Sequence, residues 1–200
     1  YIMHWHEDFQ LIYVQEGSIT LKTLTDQYLI LEGEAILINQ NVVHMVTNRE
    51  RCKYKSLLFP AAFVKFYPCS VAEENVNQFV QDPGFVCLHF DVRDQNSYAI
   101  IQTIKKIIHL EESDPYYEYQ VLLLLCTIFF HVLRSENNHV SKNNPKVRRM
   151  NVFLKYIETH YQENISLADI AASAAVSKSE CLRCFKEILN QTPYDYLIEY

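Results

Sequence analysis

The chain has 200 residues, of which 49% are hydrophobic and 13% aromatic, a composition that excludes disordered, collagen-like and low-complexity proteins. A formal net charge of −6 excludes a protein that binds nucleic acid over its whole surface, although a local contact with DNA is compatible with it. Apolar residues run from Val121 to Phe130 with an interruption at Thr127, which is shorter than the roughly 18 residues of a membrane span. No membrane partner is therefore predicted.

The six cysteines indicate a reducing compartment rather than a disulfide framework. The chain is much larger than the small secreted scaffolds that depend on disulfides, and no secretion signal is recognised. We expect a cytoplasmic protein with free thiols.

Residues 1–95 predict a domain made of β-strands. Short runs of strand-forming residues alternate with turns that contain Gly17, Asp26 and Gly33. Such near-regular spacing is typical of a small barrel or sandwich. The predicted strands are Phe9 to Val14, Ser18 to Leu24, Gln27 to Leu31, Ala35 to Ile38 and Tyr54 to Phe59.

The alternating basic residues between positions 49 and 55 are expected to face solvent, because Lys and Arg are rarely buried without partners. Cys52, Tyr54 and Ser56 would then line the interior. The alternative is an inward basic face that binds an anionic effector.

Residues 96–136 predict a pair of helices. Ile101, Ile104 and Ile108 recur at helical spacing, and this first helix is expected to end near residues 111–114. A second helix, from after Pro115 to about Arg134, is apolar on nearly all sides, which indicates burial on more than one face. We expect it to form a homodimer interface, with burial inside its own subunit as the alternative. The predicted dimer contacts are Leu122, Leu125, Phe129 and Val132.

Residues 137–147 predict a linker, because they are polar, rich in Asn and without periodicity. The excess negative charge lies before it, since residues 1–145 carry 11 basic and 17 acidic side chains whereas residues 146–200 carry 7 of each.

Residues 148–200 predict a group of short helices. The apolar residues from Met150 to Tyr161 follow helical spacing, Ser166 is expected to cap a second helix, and Ser177 a third that runs from Lys178 to about Leu189. Small residues at 174–176 join the last two. This pattern predicts a helix-turn-helix, whose second helix enters the major groove of DNA.

The third of these helices has two distinct faces. The predicted DNA-binding residues on its outer face are Lys178, Ser179, Leu182, Arg183 and Lys186. We expect Arg183 to contact guanine, and Lys178 and Lys186 to meet phosphates. Cys181 and Cys184 face inward, and we expect packed thiols rather than a metal or redox pair because a zinc site needs four ligands.

The segment from Ile165 to Tyr200 reads ISLADIAASAAVSKSECLRCFKEILNQTPYDYLIEY. It resembles the first helix-turn-helix of the AraC/XylS transcriptional regulators, including the FK pair at Phe185 and the TP-x-x-Y-L element that begins at Thr192. A second helix-turn-helix follows in that family, so the resemblance implies a fragment that lacks it and binds DNA poorly by itself. Asn190 departs from the family, in which Gly usually ends this helix.

Histidines near the N-terminus form a second group of candidate residues. His4 and His6 alternate along a predicted strand, and Gln10 lies farther along the same face. The run from His4 to Gly17 and the run from Gly33 through His44 to Asn48 resemble the two cupin motifs. Gln10 replaces the acidic ligand of those motifs, and Asn39 and Asn41 replace Pro and Gly.

This resemblance implies an effector-binding or divalent-metal site at His4, His6, Gln10 and His44. Three imidazoles and an amide oxygen suit zinc, iron, nickel or manganese, but the missing carboxylate would weaken the binding of a cation. The alternatives are an organic effector without a metal, and histidines that only form hydrogen bonds at the mouth of a barrel.

Together these features predict an α+β protein with an N-terminal cupin-like β-barrel, a helical dimerisation pair and a C-terminal all-α helix-turn-helix subdomain. AraC-type regulators often carry such a barrel to sense an effector. The predicted function is a ligand-responsive transcriptional regulator, not an enzyme, with promoter DNA, a small-molecule effector, a second copy of the chain and RNA polymerase as partners. The alternative is a metal-dependent cupin enzyme, a dioxygenase or isomerase.

Overall fold

The computed structural model describes residues 3–48, 51–81, 85–135 and 145–199. Over these residues the chain is α+β, with an N-terminal pair of sheets and a series of helices. The strands are β1 (Phe9–Glu16), β2 (Ser18–Thr23), β3 (Gln27–Leu31), β4 (Ala35–Ile38), β5 (His44–Thr47), β6 (Lys53–Phe59) and β7 (Cys87–Phe90). The helices are α1 (Ala62–Lys65), α2 (Val71–Gln81), α3 (Gln95–Ile108), α4 (Tyr117–Ser135), α5 (Pro145–His160), α6 (Leu167–Ser173), α7 (Lys178–Leu189) and α8 (Pro193–Glu199).

The strands form two antiparallel sheets, which we call the sandwich. One sheet has the order β6-β1-β4-β7 and the other the order β3-β2-β5. The space between them is filled by seven aliphatic side chains that are at most 1% exposed. They are Ile12, Val14, Ile19, Leu21, Ile30, Ile36 and Ile38. The sequence prediction of a small β domain is confirmed.

Helices cover the other face of the four-stranded sheet. Alternate residues of β1, such as Phe9 and Leu11, point away from the sandwich interior and pack against α1 to α4. Phe9 meets Phe129 of α4 with ring centroids 5.0 Å apart. Asp94 caps α3 by accepting a hydrogen bond from the backbone N–H of Asn96.

Helix α4 corrects one of the sequence predictions. It has 19 residues and a mean hydropathy of 1.2, so it is long and apolar enough to cross a membrane by length and composition only, a test that core helices also pass. Its inner side nevertheless supplies the core. Leu125, Phe129 and Val132 are buried there within their own chain, so these three predicted dimer contacts are wrong, and Leu122 alone of the four lies toward the outside.

Several elements escaped the sequence analysis. Strands β5 and β7 have four residues each and bury only one of them, unlike the fully buried β4, and α2 buries only Val76 and Phe79. The predicted linker is also shorter than expected, because α5 begins at Pro145. Residues 137–144 of that linker lie outside the described residues.

The C-terminal helices share a second core, built around Phe153, Phe185 and Tyr196. Cys181 and Cys184 are fully buried in it, which confirms that these thiols serve as packing groups. The Ser166 side chain and Asp169 form a reciprocal capping box at α6, and Ser177 caps α7, as predicted. This core continues into the sandwich, since Val43, Leu24, Met3 and Trp5 all pack against it.

Candidate functional site

The three predicted histidines lie together at one end of the sandwich. His4 and His44 form an isolated antiparallel bridge in which each backbone N–H donates to the carbonyl oxygen of the other, at 3.0 and 2.8 Å. Residues that exchange both bonds have side chains on the same side, and the two rings are 4.5 Å apart between centroids. The His6 ring is 5.1 Å from that of His44. We call this group, with Gln10, the histidine cluster.

Backbone carbonyls fix the orientation of two of these rings. His6 Nδ1 lies 2.8 Å from the carbonyl oxygen of Asp8, and His44 Nδ1 lies 2.8 Å from that of Val42. A carbonyl oxygen only accepts, so each Nδ1 carries the proton. In the neutral rings each Nε2 therefore has a free lone pair.

Gln10 is nearly buried, and its side chain lies between the two oriented imidazoles. Its Oε1 is 2.8 Å from His44 Nε2 and 3.2 Å from His6 Nε2. Its Nε2 donates to Ser56 Oγ at 2.8 Å. Ser56 and Tyr54 are nevertheless exposed, so the prediction that they line the interior is wrong, and Cys52 alone of the three is partly buried against the sandwich core. Lys53 and Lys55 are exposed as predicted.

Burial keeps His44 uncharged at neutral pH. The side chain is 0% exposed, and this burial is the main cause that lowers the pKa of His44 to about 4. The neighbouring His4 and His6 lower this pKa further. His44 therefore presents a neutral nitrogen donor rather than an imidazolium group.

Asn41 and Asn190 occupy positions where the family motifs have Gly, and both adopt a left-handed backbone conformation. Asn41 has φ of 57° and Asn190, after α7, has φ of 55°. Asn enters this left-handed region at lower cost than most other residues with a side chain, so both replacements keep the local turn. Asn39 is structural, since its Nδ2 donates to the carbonyl oxygens of Val80 and Phe85.

The predicted DNA-binding residues Lys178, Ser179, Leu182, Arg183 and Lys186 are all exposed on α7. Glu180 lies among them and pairs with Arg183 and, at 2.9 Å, with Arg149 of α5. The hydrogen bond from Arg183 is the main cause that lowers the pKa of Glu180. The Arg183 guanidinium is thus held by a carboxylate of its own helix.

The N-terminal segment, residues 3–7, connects the histidine cluster with the C-terminal helices. The Tyr196 hydroxyl lies 2.6 Å from Glu158 Oε1 and 3.4 Å from the carbonyl oxygen of Met3. Lys155 of α5 lies 5.4 Å from the centroid of the Trp5 ring and 3.5 Å from Glu7 Oε1. The sequence analysis missed these contacts, because no spacing pattern links residues so far apart in the chain.

Glu158 is the titratable group at this contact. Burial raises its pKa to about 7, and the hydrogen bond from Tyr196 opposes that rise. The buried Trp5 Nε1 has no hydrogen-bond partner within the described part of the chain. A buried donor without a partner costs free energy, so the burial of Trp5 against the helices is less favourable than it would be with its N–H bonded.

Comparison with known proteins identifies the family. Residues 1–129 match the family model described as AraC-like ligand binding domain. The uncharacterized HTH-type transcriptional regulator YdeC of Bacillus subtilis (strain 168) is 28% identical over an alignment of 207 positions that covers 99% of this chain and 69% of the relative. The probable transcriptional regulator LumQ of Photobacterium leiognathi is 25% identical over 199 positions, with 98% and 71% covered. The crystal structure of ToxT from Vibrio cholerae O395 superposes with a TM-score of 0.49 at 11% identity, covering 97% of this chain and 70% of that one. Because the family match spans well over half of the sequence, the chain belongs to the family of AraC-like ligand-binding domains.

Proposed function

We propose that the protein is a ligand-responsive transcriptional regulator that acts in the cytoplasm, where it meets promoter DNA. The observation that carries this proposal is the presence, in one chain, of an AraC-like ligand-binding domain and of a capped helix with an exposed basic face. Two relatives that align over nearly the whole chain are named as transcriptional regulators, which supports it.

Helices α6 and α7 are the proposed helix-turn-helix. They are joined by residues 174–177, in which Ala175 adopts a left-handed conformation with φ of 54° and makes the turn tight. With α7 in the major groove, Arg183 donates two hydrogen bonds to a guanine, and Lys178 and Lys186 approach phosphates. Leu182 and Ser179 contact a thymine methyl group or a base edge.

The effector site is proposed at the histidine cluster. The sandwich interior is filled by aliphatic side chains, so the polar groups at its end are where a ligand meets hydrogen-bonding partners. A ligand changes DNA binding only if it binds one arrangement of the sandwich and the C-terminal helices more tightly than another, typically by about 1 to 3 kcal/mol. The packing of Trp5 and Met3 on the C-terminal core supplies the physical connection.

We also propose a homodimer, formed by the outer side of α4. Tyr119, Leu123 and Phe130 are 55% to 70% exposed on this side, and Leu122 lies beside them. A second copy would cover this apolar surface in an isologous interface. Sedimentation equilibrium should show a dimer that Leu123→Glu dissociates, whereas Leu29→Glu, an exposed leucine of β3, should leave it intact. A monomer at micromolar concentration would contradict the dimer.

A metal-dependent cupin enzyme is the competing function for the same histidines. Family membership favours the regulator, since the matching domain is described as ligand-binding and the relatives are named as regulators. A contact with RNA polymerase stays a prediction.

Selection from a random pool of DNA duplexes tests the proposed function. The purified protein should enrich one sequence motif at low salt, where weak binding to DNA is strongest, and Arg183→Ala should lose preference at one base pair of it. Lys106→Ala, an exposed lysine of α3, serves as the control and should select the wild-type motif. Failure to enrich any motif in the presence and absence of candidate ligands would overturn the proposal.

A further inference from the structure

The lone pairs of the histidine cluster point at one another. His6 and His44 both use their Nδ1–H toward backbone carbonyls, so their Nε2 lone pairs face Gln10 Oε1 at 3.2 and 2.8 Å. Three acceptors that converge without a proton repel one another. A cation placed among these three atoms would be coordinated by all of them, and its charge would offset the repulsion.

The surroundings of these atoms are those of metal ligands. A metal-bound imidazole usually donates its other N–H to a carbonyl or carboxylate, which orients the ring, and both His6 and His44 do so here. Gln10 is held by its hydrogen bond to Ser56 with the amide oxygen toward the rings. His4 completes the group, since one nitrogen from each of the three histidines lies within 4.8 Å of the others.

The site is accessible to an ion. His4 is exposed, which gives an entry path, whereas His44 at the inner end is fully buried. The aliphatic packing behind Gln10 leaves the polar end of the sandwich as the place for a ligand. Three imidazole nitrogens and one amide oxygen are neutral donors that suit first-row transition metals better than calcium or magnesium.

Metal binding at this position also acts on the C-terminal helices. Two of the ligands, His4 and His6, belong to the N-terminal segment, and Trp5 between them packs on the C-terminal core. Binding of an ion fixes the segment on β5. It thereby changes the surface against which Lys155 and Tyr196 rest.

We propose that His4, His6, His44 and Gln10 bind a divalent first-row transition-metal ion, and that this ion is the signal transmitted through Trp5 to the C-terminal helices. This inference rests on the proposed regulatory function and names its ligand. Because no carboxylate contributes, the ligands do not compensate the charge of the ion, which weakens its binding relative to a site that contains one.

Titration of the protein with metal tests the site directly. Protein without a histidine tag, treated with a chelator and dialysed, should bind one Co²⁺ or Zn²⁺ per chain, and Co²⁺ should produce the absorption bands of nitrogen ligands. His4→Ala should lose this binding while remaining folded, because His4 is exposed. His109→Ala, an exposed histidine after α3, is the matched control and should bind like wild type.

Gln10 supplies a second and opposite variant. Gln10→Glu adds a negative charge beside the ion and should tighten Zn²⁺ binding by about tenfold or more. A Gln10 amide turned over would instead donate its N–H groups to both imidazoles and close the cluster without an ion. In that case the folded wild-type protein would bind no metal, and the proposal would be overturned.

Trp5 is the single tryptophan of the chain, so its fluorescence reports on the N-terminal segment alone. Zn²⁺ has no redox chemistry, and a change in Trp5 emission on its addition therefore reports a change of surroundings. This change should have the same midpoint as Zn²⁺ binding and disappear in His4→Ala. Zn²⁺ binding that leaves Trp5 emission unchanged would overturn the proposed transmission.

Binding to the enriched DNA motif, measured with and without Zn²⁺, distinguishes the proposed metal signal from the proposed regulatory function. Zn²⁺ should change the affinity for that DNA by at least about fivefold, and His4→Ala should remove the effect. If the affinity for DNA does not change with Zn²⁺, the proposal that the metal is the signal is wrong, but the proposed regulatory function is unaffected. If the protein binds Zn²⁺ but recognises no DNA sequence, the proposed regulatory function is wrong, but the metal site is unaffected.

Discussion

The histidine cluster takes its side chains from three separate segments of chain, whereas the outer face of α7 comes from a single helix of 12 residues. Gln10 and His44 of the cluster are buried, and the polar atoms of the cluster contact one another. The residues on α7 are exposed. A change at Gln10 or His44 is therefore expected to affect stability and ligand binding together, while a change on α7 is expected to affect the proposed DNA binding alone.

The largest expected effect is a loss of stability in acid that originates at His44. Burial lowers its pKa to about 4 from the ordinary value of 6.5, so the unfolded chain binds a proton in this range and the folded chain does not. The stabilisation is complete above pH 6.5 and decreases as pH falls toward 4, by about 3 kcal/mol for a shift of this size. Glu158, whose pKa burial raises to about 7, stabilises the folded chain by a similar amount as pH falls over the same range. The contribution of His44 is therefore measured as the difference between wild type and His44→Gln in urea unfolding of chelator-treated protein at pH 7 and 4.5.

His44→Gln should reduce this dependence on pH, because the glutamine does not titrate. His109→Gln removes an exposed histidine and should leave it unchanged. If stability changes equally between pH 7 and 4.5 in His44→Gln and in wild type, His44 is not the responsible group.

Arg183→Ala should separate DNA binding from folding. Loss of a bidentate contact to guanine should weaken specific binding by about 1 to 3 kcal/mol and relax selection at one base pair. The free energy of unfolding should change by no more than about 0.5 kcal/mol, because the residue is exposed. Fluorescence anisotropy with matched and mismatched duplexes, combined with urea unfolding, measures both quantities.

Lys186→Ala should have a smaller and less selective effect. A lysine that contacts only phosphate contributes equally to every sequence, so specific and non-specific duplexes should weaken alike. The slope of log affinity against log salt should decrease by about 1. Selective weakening of one sequence would instead assign Lys186 to a base contact.

The smallest effect is expected at the end of α7. Asn190 has φ of 55°, and glycine adopts this conformation without a steric penalty. Asn190→Gly should therefore stabilise the protein by a few tenths of a kcal/mol, up to about 0.5. Thermal unfolding compared with Asn41→Gly, at φ of 57°, tests whether both left-handed turns respond alike.

The elements that the sequence predicted well are those with a strong local pattern. The capped helices α6 and α7 and the strands β1 to β4 are visible in periodicity, and the outer face of α7 follows directly from helical spacing. The histidine cluster was predicted through its motif resemblance. The direction of the Gln10 amide and the partners of each Nδ1 depend on how strands pair, so spacing alone was unable to predict them.

The main error of the sequence analysis was the assignment of which side of α4 faces the core, and this error has a physical cause. A helix that is apolar all round has little amphipathic contrast, so its sequence does not show which side faces the core. In the structure, burial of residues such as Leu125 and the contacts of Phe129 with Phe9 and Phe59 establish that direction. The packing of Trp5 on the C-terminal core was likewise invisible, since it joins two regions with no shared pattern.

The hydrogen bond between Tyr196 and Met3 joins residues that are 193 positions apart. Translation delivers the sandwich and its histidines to solvent long before α8 leaves the ribosome, and domains generally fold as units in that order. The newly made histidine cluster therefore exists for a time with Trp5 uncovered. During synthesis the cluster is therefore accessible to a ligand before the last helix docks beside it.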